Sequence, residues 1–104
     1  MARRYIATSL FMMALSAATA QAQEPPAPPP QVQPCIVCHG ANGHGTAPLF
    51  PNLAAQQSEY LTMQMELFRS GERPSHIMNT LVRTMTDKDI KIAVEYYANL
   101  PRCE

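Results

Sequence analysis

The run Glu24-Pro25-Pro26-Ala27-Pro28-Pro29-Pro30 constrains this chain more than any other feature, because it withdraws a whole stretch from any packed interior. Five of the ten prolines fall there. Proline has no backbone N–H and a fixed φ, so such a run joins neither helix nor sheet and extends as a polyproline II spacer. The same composition also fits a ligand for a proline-reading domain, but a passive tether is the simpler reading. With the spacer taken as residues 23–33, everything that packs must come from residues 34–104. A domain of about 70 residues buries little surface, and chains this small lean on disulfides, a metal or a cofactor.

Ahead of the spacer stands a different segment. Met1-Ala2-Arg3-Arg4 is a basic start, Tyr5 to Ala18 an apolar run, and Ala18-Thr19-Ala20 a small-residue stretch. These are the parts of a secretory signal peptide over residues 1–22, with cleavage after Ala20 or Ala22. The run falls short of the roughly 20 apolar residues that cross a bilayer, so no lasting membrane insertion is expected. Removing it leaves 82 residues carrying six basic and eight acidic side chains, a net charge of −2. Neither that balance nor any run of like charge fits a nucleic-acid binder. The expected location is the periplasm.

Within the remaining domain, Cys35-Ile36-Val37-Cys38-His39 is the candidate for the missing stabiliser. Residues three apart on a helical turn share a side, so both sulfurs can bond to the two vinyl groups of a haem while the next residue turns its imidazole to the iron. A thioredoxin-like redox pair wants a preceding strand, and the sequence before Cys35 is proline-rich instead. Structural zinc wants a second closely spaced pair, whereas only His44, His76 and Cys103 remain. The expected cofactor is therefore one haem c, covalent through Cys35 and Cys38.

The motif does not stand alone. In order along the chain come Cys35-Ile36-Val37-Cys38-His39-Gly40, Asn42-Gly43-His44-Gly45, Pro51-Asn52-Leu53, Ser58-Glu59-Tyr60-Leu61, Phe68-Arg69-Ser70-Gly71, Thr86-Asp87-Lys88-Asp89-Ile90 and Tyr96-Tyr97. Together they resemble a class I c-type cytochrome, of the small monohaem periplasmic kind and similar to one half of the tandem dihaem bacterial cytochromes. The resemblance implies an all-α fold of three main helices, with loops wrapped around one haem, over residues 34–104.

Periodicity agrees with that class. A short first helix runs from Pro34 to about Gly40, a second from Ser58 as N-cap to Gly71 as C-cap with Leu61, Met65 and Phe68 on one face. The last opens at Thr86 with Asp89 as a capping box, aligns Ile90, Ala93, Val94 and Tyr97, and stops before Pro101. Residues 39–57, with their glycines and prolines, read as a loop along one haem edge. In the resembling family the first and last helices cross beside the haem, with Tyr97 near the crossing.

The second axial position decides the chemistry. A thioether keeps iron six-coordinate and favours the ferrous state. Met63 and Met65 fall in the second helix, where core packing explains them, and Met85 sits where a hydrophobic staple would. Met78 lies in the loop Arg73–Asn79 between the long helices and matches the family's ligand position, with His76 as the alternative. The resemblance also assigns the Pro51 carbonyl to the second nitrogen of His39. Arg73 is a solvated loop residue or a partner for a haem propionate.

The implied function is a periplasmic single-electron carrier with His39 and Met78 on the metal, and not an enzyme. Its partners are periplasmic redox proteins as donor and acceptor, met by weak, partly apolar docking, since Lys88 and Lys91 are the domain's lysines. The alternatives are a cytochrome subunit of a periplasmic dehydrogenase complex and a haem sensor or peroxidase. Cys103 is left over, a thiol for a disulfide partner or an inert one.

Overall fold

The computed structural model describes residues 11–21 and 24–103. The start of the leader with Arg3-Arg4, the Ala22 cleavage point and the first spacer residue, Gln23, lie outside the described residues. Every regular element described is helical: a 3-10 turn Pro30–Val32, then α1 (Gln33–His39), α2 (Ser58–Ser70), α3 (His76–Val82) and α4 (Asp87–Ala98). The all-α class is as expected, but there are four α-helices rather than three.

The two long helices form where the apolar spacing placed them. Leu61 and Phe68 bury one face of α2, with Met65 packed beside them, and Ile90, Ala93, Val94 and Tyr97 bury one face of α4. Gly71 ends α2 in the left-handed region at φ 84°, which costs a glycine no Cβ clash. Ser58 is not the N-cap: it is the first helical residue, Gln57 precedes it in extended conformation, and no side chain caps the helix. Met63, expected in the interior, is 53% exposed.

At α4 the capping box is complete. Asp89 N–H donates to Thr86 Oγ1 at 3.1 Å, and Thr86 N–H donates to Asp89 Oδ2 at 2.9 Å. The bond from Thr86 N–H, and after it the Thr86 hydroxyl, hold the Asp89 carboxyl below its ordinary value. Its stabilising contribution is therefore complete above the unfolded carboxylate pKa and disappears as the pH falls through the lower folded value. Thr86→Ala is expected to cost about 1 kcal/mol in urea unfolding at pH 7. The gap from the parent protein should narrow in strong acid.

Two elements escape local pattern. The 3-10 turn lies in the proline-rich stretch, yet Val32 has no exposed surface and the turn packs against α1 and α4. Val82 is equally buried at the end of α3, which packs on α2. α3 has only seven residues, too few for a readable apolar period, and its signal is instead Ser75, whose hydroxyl accepts from Met78 N–H at 3.1 Å.

The tether to α1 is made largely by side chains of α4. Tyr97 donates its buried hydroxyl to Gly40 O at 3.1 Å, and Tyr96 donates to Ala41 O at 2.6 Å. The two rings meet edge to face, 5.3 Å apart. Tyr97, expected near a helix crossing, thus fixes the chain immediately after His39.

Candidate functional site

The loop after α1 is folded back on itself by a few specific bonds. Gly40 leaves the helix at φ 75°, where a Cβ would crowd Asn42 and His44. Thr46 returns to the end of α1: its N–H donates to Cys38 O at 2.9 Å and its hydroxyl to Val37 O at 2.8 Å, satisfying carbonyls that a helix end leaves unpaired. Gly43 O accepts from Leu53 N–H at 2.8 Å and Ala54 N–H at 3.1 Å, and Asn52 Oδ1 accepts from Gly45 N–H at 2.7 Å. Ala55 N–H donates to Tyr97 O at 3.1 Å, fastening the loop to α4.

That closure places Pro51 beside His39. His39 Nδ1 lies 2.8 Å from Pro51 O. A carbonyl only accepts, so Nδ1 carries the proton, and the neutral ring keeps its Nε2 lone pair free to bind a metal. His39 is 7% exposed and meets the edge of Tyr97 at 6.5 Å between ring centres.

The closure depends on backbone contact at Gly43. It sits at φ 76°, and a Cβ there would lie 2.7 Å from Ala54 N. Gly43→Ala combines left-handed strain with overpacking, and is expected to lower stability by about 2 kcal/mol. Comparison of urea midpoints for the two proteins checks this.

These elements enclose a cavity of about 520 Å³. Cys35, Cys38 and His39 line it from α1, Pro51 and Leu53 from the loop, Met65 and Phe68 from α2, Met78 from α3, and Val94 and Tyr97 from α4. Burial pushes the Cys35 thiol above its ordinary value, with the neighbouring Cys38 adding to the shift. Burial likewise pushes the Tyr97 phenol up. The pocket is thus apolar, with two thiols, one imidazole and thioethers as its donor set.

The residues proposed from sequence meet here: Cys35, Cys38, His39, Pro51 and Met78 all line the one cavity. Met78 does so from α3 and not from a loop, as had been expected. Met65 and Met85 also line it, whereas Met63 and His76 do not, and His44 is exposed. Phe50 borders the cavity beside Pro51. Arg73 reaches it as well, its Nη1 donating to Gln64 Oε1 at 2.6 Å and its guanidinium lying 4.6 Å over the Phe68 ring. Among the described residues no group of three His, Cys, Asp or Glu side chains gathers to hold a metal.

Sequence reasoning missed Thr46, Tyr96 and Asn79, which tie the segments carrying these donors. Asn79 and Tyr96 resemble ordinary helix residues locally. Thr46, an isolated hydroxyl in a loop, has a readable signal only once the end of α1 is known.

A profile of the cytochrome c family matches residues 31–101. The chain belongs to the cytochrome c family. The thiosulfate dehydrogenase electron acceptor of Stutzerimonas stutzeri is 37% identical over 73 residues, 67% of this chain and 34% of that protein. Cytochrome c-554(548) of Halomonas halodenitrificans is 34% identical over 68 residues, 62% of this chain and 82% of that protein. Among solved structures, cytochrome c4 of Acidithiobacillus ferrooxidans superposes with a TM-score of 0.59 at 35% identity, over 64% of this chain and 38% of that one. The cytochrome c domain therefore spans about a third of two of these relatives and most of the third. Its matched region opens at residue 31, so it includes the buried Val32 that the proline-rich composition had hidden.

Proposed function

We propose that this cytochrome c is a periplasmic single-electron carrier with one covalently bound haem c. The observation that carries the reading is the single apolar cavity shared by Cys35, Cys38, His39 and Met78, with His39 Nδ1 held on Pro51 O. The residues fit the group: two thiols three positions apart at the cavity wall, an imidazole with one free nitrogen, and a thioether on the side contributed by α3. Cys35 and Cys38 would hold the haem through thioether links, and His39 and Met78 would bind its iron. Bound there, the haem supplies a one-electron ferric/ferrous couple.

The chain's own contribution is to orient and to keep dry. Pro51 O fixes the His39 ring plane and strengthens its donor nitrogen. Leu61, Phe68, Val94 and Tyr97 exclude water from the side of α2 and α4. At the rim, Leu49, Tyr60 and Ile77 line the cavity and are also exposed, at 90%, 42% and 53%. Arg73, the one Arg or Lys lining it among the described residues, is already engaged with Gln64 and Phe68. Such a rim supports brief, apolar docking with redox partners rather than charge-steered capture.

Export is supported by the segment ahead of the domain, where Phe11, Met12, Met13 and Leu15 are almost wholly exposed and contribute nothing to the core. Among the described residues no helix is long and apolar enough to cross a membrane. A dehydrogenase as electron donor is supported by the name of the Stutzerimonas relative, and a dehydrogenase as a permanent partner by that of the cytochrome subunit of sulfide dehydrogenase of Chlorobaculum tepidum, 28% identical over 68 residues. Copurification of a second chain would distinguish the permanent from the transient arrangement. Cys103 is half-buried and unpaired among the described residues, so a disulfide to another chain through it is tested by non-reducing electrophoresis.

The deciding experiment is an absorption spectrum, oxidised and reduced, of protein made together with haem-maturation machinery. Covalent haem with a methionine-type band in the oxidised state and a reversible one-electron midpoint is the expected result. Rapid carbon monoxide binding by the reduced parent protein would instead point to a haem sensor or peroxidase.

A further inference from the structure

We infer that Asn79 is a positioning residue for the methionine side of the site: its carboxamide pins α3 to α2 and thereby holds Met78 at the cavity wall. The inference rests on the His39 and Met78 reading given above. Met78 and Asn79 are consecutive, and the first lines the cavity while the second reaches back to the chain connecting the two helices.

Asn79 uses every polar function it has. Its Nδ2 donates to Phe68 O at 2.7 Å and to Arg73 O at 2.9 Å, and its Oδ1 accepts from Ser75 N–H at 2.6 Å. Two carbonyls can only accept and a backbone N–H can only donate, so the orientation of the amide follows from its partners. Phe68 lies in the last turn of α2, where its carbonyl accepts from Gly71 N–H at 3.3 Å, so Asn79 gives it a second and shorter bond. The same side chain therefore bonds to the end of α2, the connecting turn and the residue that caps α3.

The cap completes the link to the ligand. Ser75 Oγ accepts from Met78 N–H at 3.1 Å, so the residue whose N–H is fixed by Asn79 fixes the backbone of Met78 in turn. An α-helix of seven residues is unstable by itself, and its position must come from contacts outside it. Packing of Val82 anchors the far end, and Asn79 anchors the end that carries Met78. Removing the amide takes a partner from Arg73 O and Ser75 N–H, leaves Phe68 O with Gly71 N–H alone, and frees the first turn of α3 to move away from the cavity.

The test is the rate at which added imidazole displaces methionine from the oxidised holoprotein, followed by loss of the methionine-type absorption band. Asn79→Ala should speed displacement roughly tenfold, the effect of losing one to two hydrogen bonds that hold the bound arrangement. Asn79→Asp keeps the shape and the acceptor but sets a carboxylate against two carbonyls, and should exchange at least as fast. Thr86→Ala, which weakens α4 at a remote cap, should lower stability and leave the displacement rate at the parent value. In the oxidised holoprotein without imidazole, faster amide hydrogen exchange at Ser75 and Met78 in Asn79→Ala is a second expected sign. Parent-like displacement in both Asn79 variants overturns the positioning role while the ligand reading stands. Absence of the methionine-type band in the parent protein overturns both.

Discussion

Replacing Cys35 and Cys38 together by alanine is expected to yield a chain without covalent haem and without a stable fold. The reason is the size of the space the domain is built around. The cavity measures about 520 Å³ and is bordered by much of the core, including Leu61, Phe68, Ala93, Val94 and Tyr97. Without its occupant the apolar lining either collapses or stays open to water, and at about 25 cal/mol per Å² of apolar surface left unburied the loss reaches several kcal/mol. A loss of that size takes up much of the stability of a typical domain. A small domain has no surplus to offset it. Haem staining after denaturing electrophoresis and far-ultraviolet circular dichroism check the two parts separately. Covalent haem persisting in the double variant would remove Cys35 and Cys38 from their assigned role.

The second large effect is expected at Met78, the proposed thioether ligand from α3. Met78→Ala is expected to abolish the methionine-type absorption band of the oxidised protein and to lower the midpoint potential. A thioether favours the ferrous state, and axial ligands command a span of about 0.8 V, so a fall on the order of 0.1 V is the scale to look for. The reduced variant should also bind carbon monoxide rapidly. The comparison must include Met65→Ala and Met85→Ala, because both thioethers border the same cavity. Met65 shares the α2 face with Leu61 and Phe68, and Met85 packs on the core beside the start of α4, so losing either should reduce stability while preserving the band. Survival of both band and potential in Met78→Ala would transfer the ligand role to one of those two.

How far these residues were legible depends on the range of the interactions involved. Cys35, Cys38 and His39 announce themselves because the covalent chemistry needs them within five consecutive positions. The long helices are legible for a related reason: Leu61 and Phe68, like Ile90, Val94 and Tyr97, recur at the helical period over about two turns, and Thr86 with Asp89 marks a start within four residues. α3 was read as loop because seven residues hold barely two turns, and its buried Val82 has no partner of its own period to reveal it. Ser58 has the right chemistry for a cap but sits one position inside α2, a shift that composition cannot resolve.

By itself the sequence determined the small all-helical class, and it set two thiols and an imidazole within five positions as the candidate attachment residues for the cofactor that so small a core calls for. These follow from composition, local spacing and chain length, which are present before folding. Tertiary structure alone decided how the donors are held. The bond from His39 to Pro51 spans 12 positions, those from Tyr96 and Tyr97 to Ala41 and Gly40 span 55 and 57, and Asn79 reaches Phe68 across 11. Hydrogen bonds depend on short distances and direction, and such distances between separated residues exist only once the helices have packed.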